Sequence, residues 1–484
     1  MGLSRNFVWD VMLAASLLLI VGYCHAISFV GSPLLLISTL VLATVVIMHW
    51  CLHTRERFPS LADASVLLFE ILFLVVAPAV QRAYFDLELV NTSTLNEGFA
   101  VATNLLCTLF VLVYVGTRCY GARRDRRNRR GPYAAYAARR GPPPAVVVQH
   151  RLTTPRALVL VGVACVAVVL SLQAIDIRTQ SEMIEATPQY LIQQKYLCFL
   201  PVPMLLMLVN VKGRQLFRQP LWLLLAVFFL VCVFVSQNPL IEKRNTIGPV
   251  YLSLLLLALP WFSRTSRRQA TTLLLLIGVC FPLASVFTHA DLASWNVTEV
   301  LDPWLYFSHF LDLHYDAWAN IHTVIEMVNR DGLRLGEQLL GSVLFFVPHL
   351  LWEAKPHATG IEIGQFLMAF HKLDFDNLSA PLIAEGYIDF SVAGVAMAAV
   401  ALAMLTRFLD RLCVSASPVG KPAGIYFSVF LVFLLRGALM IAIAYGTATA
   451  VAFLTINWFV SRRRARHAQG VRRMPRAAPA RQPL

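Results

Sequence analysis

The chain has 484 residues, of which 58% are hydrophobic and only 14% charged, with a mean hydropathy of +0.65. This balance excludes an ordinary soluble globule and places the chain among polytopic membrane proteins. The net charge of +14 is distributed loop by loop, so it reads as a topology signal and gives little reason to expect a nucleic-acid partner.

About 20 apolar residues cross a bilayer, and twelve such segments are predicted, at 8–27, 33–51, 62–80, 99–116, 157–174, 191–210, 220–236, 246–262, 270–288, 382–405, 422–440 and 443–460. Each is expected to be a helix, because a backbone in lipid must satisfy its own hydrogen bonds and the short alternating strands of a barrel are absent from the pattern. The fold class is therefore an all-α polytopic membrane protein. The first segment follows MGLSRN without an evident cleavage site, and it reads as a retained anchor.

Lysine and arginine favour cytoplasmic loops. With the N-terminus inside, the inner segments hold 31 of the 41 cations, from Arg5 through the arginine blocks at 118–156 to the tail after Val460. Twelve crossings with both termini cytoplasmic satisfy every loop. The inner loop 117–156, with GARRDRRNRRGPYAAYAARRGPPP, reads as a flexible basic linker against anionic head groups, and the tail 461–484 as another basic segment. The organisation is thus 1–288 with nine helices, a large outer loop 289–381, three helices over 382–460 and the tail.

The nine cysteines lie in or beside apolar runs, none in CxxC spacing, and read as small apolar residues. The stretch SQNPLIEKRNTIGP puts Lys243, Arg244 and Asn245 at an outer helix start, against the rule that 31 of the 41 cations follow. Glu242 is the obvious competitor for their charge.

The outer loop, about ninety residues long, is expected to be functional or to carry its own helices. HFLDLHYDAWANIHTVIEMVNR has the spacing of an amphipathic helix along the outer membrane surface. GSVLFFVPHLLWEAKPHATG, broken by Pro348 and Pro356, suits a segment dipping back toward the bilayer. NLSAPLIAEGYIDFSVAG then leads into the tenth helix with Glu385 and Asp389 near its outer end.

The succession HYDAWANI, GEQLLGSVLFFVPHLLWEAKP, NLSAPLIAEGYIDFSVAG and FLLRG resembles the bacterial oligosaccharide repeat unit polymerases, the Wzy-type O-antigen polymerase group, over about residues 240 to 440. His349 departs from the pattern, since an arginine is expected after the FFVP stretch. The resemblance implies an enzyme of the bacterial inner membrane, working without a cofactor at the periplasmic face. It would transfer a growing glycan from undecaprenyl pyrophosphate to another lipid-linked repeat unit. Its partners would be that lipid-linked glycan, membrane lipid, a flippase and a chain-length regulator.

A pyrophosphate leaving group needs cations where water is scarce, and an acceptor hydroxyl needs a base within reach. Lys243, Arg244 with Asn245, Lys355 and Arg436 are the candidates for the first role. Arg436 stands out because an isolated charge in an apolar run is costly. Asp316, His314 and Glu385 are the candidates for the base, and Tyr315 and Trp318 could stack on sugar rings. His309, His314 and His322 do not share one helical face, so no metal site is expected. An O-antigen ligase uses the same donor and is the nearest alternative. A flippase or transporter would need more polar residues within its helices, where Glu70 is one of few.

Overall fold

The computed structural model describes residues 5–28, 32–55, 59–85, 87–130, 154–173, 190–239, 242, 244–280, 303–348, 350–415 and 417–461. They are helical almost throughout, with no strand beyond an isolated bridge between Glu88 and Thr94. The helices are α1 (Arg5–Ile27), α2 (Pro33–Thr54), α3 (Leu61–Tyr84), α4 (Glu97–Arg130), α5 (Thr154–Gln173), α6 (Leu191–Lys212), α7 (Pro220–Ser236), α8 (Arg244–Ala258) and α9 (Ser266–Leu275). Four short helices follow, α10 (Pro303–Ser308), α11 (Ala317–Asp331), α12 (Glu337–Val343) and α13 (Thr359–Phe370), then α14 (Leu382–Cys413), α15 (Gly420–Arg436) and α16 (Leu439–Ser461). By length and composition α1, α2, α3, α4, α6, α14 and α16 are seven candidate membrane spans, and α5, α7 and α8 contain shorter apolar stretches. An all-α membrane protein therefore stands.

Helix α3 is the hub, with 94% of its apolar window buried, whereas α1 at 17% lies on the periphery. A turn of π-helix, Glu70–Val76, interrupts α3 just before Pro78. Proline has no N–H to donate and its ring crowds the carbonyl four residues back, so a widened turn relieves the clash without ending the helix. Two hydrophobic cores result. One gathers α1 to α4, α9, α11, α13 and α14, and the other gathers α5 to α8 and α16. Helix α15 joins them, placing Val429, Leu431 and Leu435 in the first and Tyr426 and Phe430 in the second.

Three elements differ from the sequence pattern. Helix α4 continues to Arg130, so the first arginines of the expected linker are helical, which suits arginine's good helix propensity. Residues 309–331 form two 3₁₀ turns and α11. This is no surface amphipathic helix, because every residue from Ala317 to Ile325 is buried. The polar members of that run enter the bundle because each finds a partner: Trp318 Nε1 donates to Asn104 Oδ1 at 2.9 Å, and Asn91 Nδ2 donates to Asn320 and Thr323 at 2.8 and 3.0 Å. Finally, α14 is two helices in one, broken at Phe390 and Ser391, where Ser391 takes a φ of 54°. The chain folds back so tightly that a Cβ on Gly386 would meet Gly394 O at 2.6 Å.

Candidate functional site

The bundle end that carries α10 to α13 collects the carboxylates singled out above. Asp316 precedes α11, Glu385 and Asp389 lie on the short first limb of α14, and Arg436 closes α15. Asp316 is buried and accepts from Ser379 Oγ at 2.6 Å and Asn320 Nδ2 at 2.9 Å. Arg436 Nη2 stands 3.3 Å from Asp316 Oδ1 and donates to Leu313 O at 2.9 Å. The guanidinium thus bridges the 3₁₀ turn at Leu313 and the start of α11, drawing together residues 120 positions apart.

Glu385 is buried and is tied to the chain just past Arg436. Its Oε2 accepts from Thr359 Oγ1 at 2.6 Å and its Oε1 from the backbone N–H of Leu439 at 2.7 Å, three residues beyond Arg436. One turn along, Asp389 accepts from the N–H groups of Gln338 and Leu339 at 3.2 and 2.8 Å, capping the N-terminus of α12. Gln338 donates to Glu362, which also faces Arg334 at 3.5 Å. Burial pushes the Glu362 carboxyl above its ordinary range, and the Arg334 charge opposes that shift.

No family model, curated protein or solved structure matches this chain.

Asp316 has three side-chain donors on its carboxylate and is 1% exposed, so it holds Arg436 in place and is poorly disposed to take a proton from a hydroxyl. Glu385 has one donor per oxygen and keeps a second lone pair on each. His314 is half-buried in the second 3₁₀ turn, its ring 5.5 Å from that of His309. Tyr315 and Trp318 lie 1% exposed, with Phe73 and Phe310 each 4.8 Å from the Tyr315 ring and His322 and Arg82 over Trp318. Their faces are covered by protein, so the expected stacking on sugar rings has no surface to occur on. Lys355 is likewise committed, donating to Phe345 O and Val347 O at 2.8 and 2.9 Å. Burial lowers its affinity for its proton, and its role is to tie the turn after α12.

Lys243 and His349 lie outside the described residues, and of Arg244 and Asn245 the structure describes only that they begin α8. Glu242 faces Lys195 at 3.8 Å, across the chain from its sequence neighbours. Lys195 was not singled out from the sequence, although a lysine inside an apolar segment was the available signal. It is buried, donates to Thr246 Oγ1 at 3.1 Å in the first turn of α8, and lies over the rings of Tyr445 and Tyr190 at 4.6 and 5.6 Å. Among the described residues no group of histidine, cysteine and acidic side chains has the geometry of a metal site.

Proposed function

We propose that the chain polymerises lipid-linked oligosaccharide repeat units at the membrane face that carries α10 to α13, the periplasmic face of a bacterial inner membrane. The observation that carries this reading is the Arg436–Asp316 bridge, with Glu385 bound to the backbone three residues beyond Arg436. A fixed, half-buried guanidinium is suited to the charge that develops on a departing pyrophosphate, and the neighbouring carboxylate is suited to receive the acceptor's proton. In this scheme the acceptor hydroxyl attacks the anomeric carbon as its proton passes to Glu385. The bond from that carbon to the pyrophosphate oxygen breaks, and Arg436 stabilises the leaving oxygens. Asp316 orients Arg436, and Lys195 adds positive charge near the start of α8.

The test is deletion of the gene followed by electrophoresis of the surface glycan. Loss of a polymerase leaves single repeat units on the final acceptor. Loss of a ligase leaves polymer unattached, and loss of a flippase leaves neither. Unchanged glycan length in the deletion strain would reject all three.

A further inference from the structure

At the end of the bundle opposite α10 to α13, α2, α3, α4 and α14 enclose a second set of ionisable groups that the proposed reaction does not use. His49 and His53 come from α2, Asp63 and Glu70 from α3, Tyr114 and Arg118 from α4, and Asp410 from α14. His49, His53, Asp63, Glu70 and Tyr114 are at most 2% exposed. Glu70 lies about 14 Å along α3 from Leu61, at the start of the π turn.

His49 Nδ1 faces Glu70 Oε2 at 2.6 Å and its Nε2 faces Asp63 Oδ1 at 3.3 Å. His53 Nδ1 faces Asp63 Oδ2 at 2.7 Å and its Nε2 faces the Ser266 carbonyl at 3.2 Å. Each of these four contacts joins a ring nitrogen to an oxygen, so each needs a hydrogen, whereas two neutral imidazoles supply only two. The other two must be additional protons, carried by imidazolium or by a carboxyl. Asp63 Oδ1 also accepts from Tyr114 Oη at 2.7 Å and faces Arg118 Nε at 3.0 Å, and one of the two protons belongs to the contacts of the His53–Asp63 pair. The second is shared between His49 and Glu70, whose Oε1 has no partner among the described residues.

Charge gives the same count independently. Among the described residues three carboxylates, Asp63, Glu70 and Asp410, gather about Arg118, whose Nη1 lies 3.3 Å from Asp410 Oδ2. Two bound protons bring the set to neutrality, the condition for burying it at tolerable cost. We propose that His49, His53, Asp63 and Glu70 form a buried proton-binding site holding two protons beyond neutral imidazoles and ionised carboxylates, filled from the bundle end where Asp410 opens to solvent. Asp410 is the port because its side chain is 28% exposed while it accepts from Ser60 Oγ at 2.6 Å. Further along α3 the rings of Phe69, Phe73 and Tyr315 stack on one another. Emptying it leaves two uncompensated negative charges among α2, α3 and α4, and the fold loosens as pH rises because the native state binds more protons than the unfolded one.

The full-length protein in detergent, with weak buffer and choline chloride, is titrated with base from about pH 7.5 to about pH 10. Wild type is expected to release about one proton per molecule more than Glu70→Gln, which keeps shape but cannot hold the shared proton. Superimposable curves overturn the proposal. A measurement on wild type alone covers the case in which the variant does not fold. Its melting temperature should fall over this range, equally in choline chloride and in sodium chloride. A constant melting temperature, or a fall that sodium abolishes, means that no proton site, or a site for a metal cation, is present.

Discussion

Asp316 accepts from Ser379, Asn320 and Arg436, and this crowding separates the roles of two residues that the sequence left equal. Arg436→Ala is expected to lower polymer synthesis by roughly 100-fold or more, since removing one donor to developing charge costs about that much. Asp316→Asn should cost less in the wild-type background and almost nothing further once Arg436 is alanine, because the two act as a unit. Chain-length distributions of the two single variants and the double variant test this, and additive losses would refute the positioning role. Glu385→Gln can still accept from Leu439 N–H, while its amide donates to Thr359 Oγ1 and that hydroxyl turns to Gln338 Oε1, so it removes the base with the packing kept, and the same assay should show little product from a normally inserted protein. His322 supplies a pH prediction. Its Nε2 accepts the Asn96 N–H at 3.1 Å, Nδ1 has no partner among the described residues, and burial holds the ring down to about 4. The unfolded chain then binds more protons between about pH 6.5 and about pH 4. Stability from this group is complete above that window and is lost as pH falls through it, by up to about 3 kcal/mol. Thermal unfolding in detergent should show this slope in wild type and a flatter one in His322→Gln.

The first limb of α14 brings Glu385 and Asp389 to the site, and the break at Phe390 and Ser391 is what allows that limb to lie under α12. Gly386 and Gly394 meet across the bend, and a Cβ on Gly394 would strike both Gly386 and the Phe390 side chain. Gly394→Ala should therefore destabilise by about 1–3 kcal/mol and impair the site with no charge altered, whereas Ser391→Gly should be tolerated because glycine accepts positive φ readily. Melting curves and polymer assays of the two variants decide between a required bend and an incidental one. This bend was hidden in the sequence, because YIDFSVAG reads as an unbroken apolar approach to a helix and carries no proline. Asp316, Glu385 and Arg436 stood out in the sequence, since charge inside or beside apolar runs is conspicuous. What was not legible was long-range pairing. The burial of Trp318 depends on Asn104, that of Asn320 on Asn91, and the seat of Glu242 on Lys195, none of which leaves a mark in local spacing.

At the scale of the whole molecule, two hydrophobic cores meet at α15, and the ionisable groups separate to the two ends of the first. One end gathers Asp316, Glu385 and Arg436 beneath α10 to α13; the other gathers His49, Asp63, Glu70 and Arg118 near the helical extension of α4 into the arginine block. The proposed reading, which follows the positive-inside rule, has the arginine-rich end at the cytoplasm and the loop-bearing end on the opposite side. The alternative orientation would carry most of the chain's cations across the membrane and turn the proposed polymerase site away from its lipid-linked donor. Reporter fusions distinguish the two. A phosphatase that folds only outside the cytoplasm should be active when inserted after Asp374 and inactive after Leu484, and a fluorescent protein that folds only inside should give the reverse pattern. If the insertion at Asp374 fluoresces, the face assigned to Arg436 and Glu385 is wrong and the periplasmic polymerase reading falls with it. The fold and both charge clusters would still stand, because their internal hydrogen bonds do not depend on which way the bundle faces.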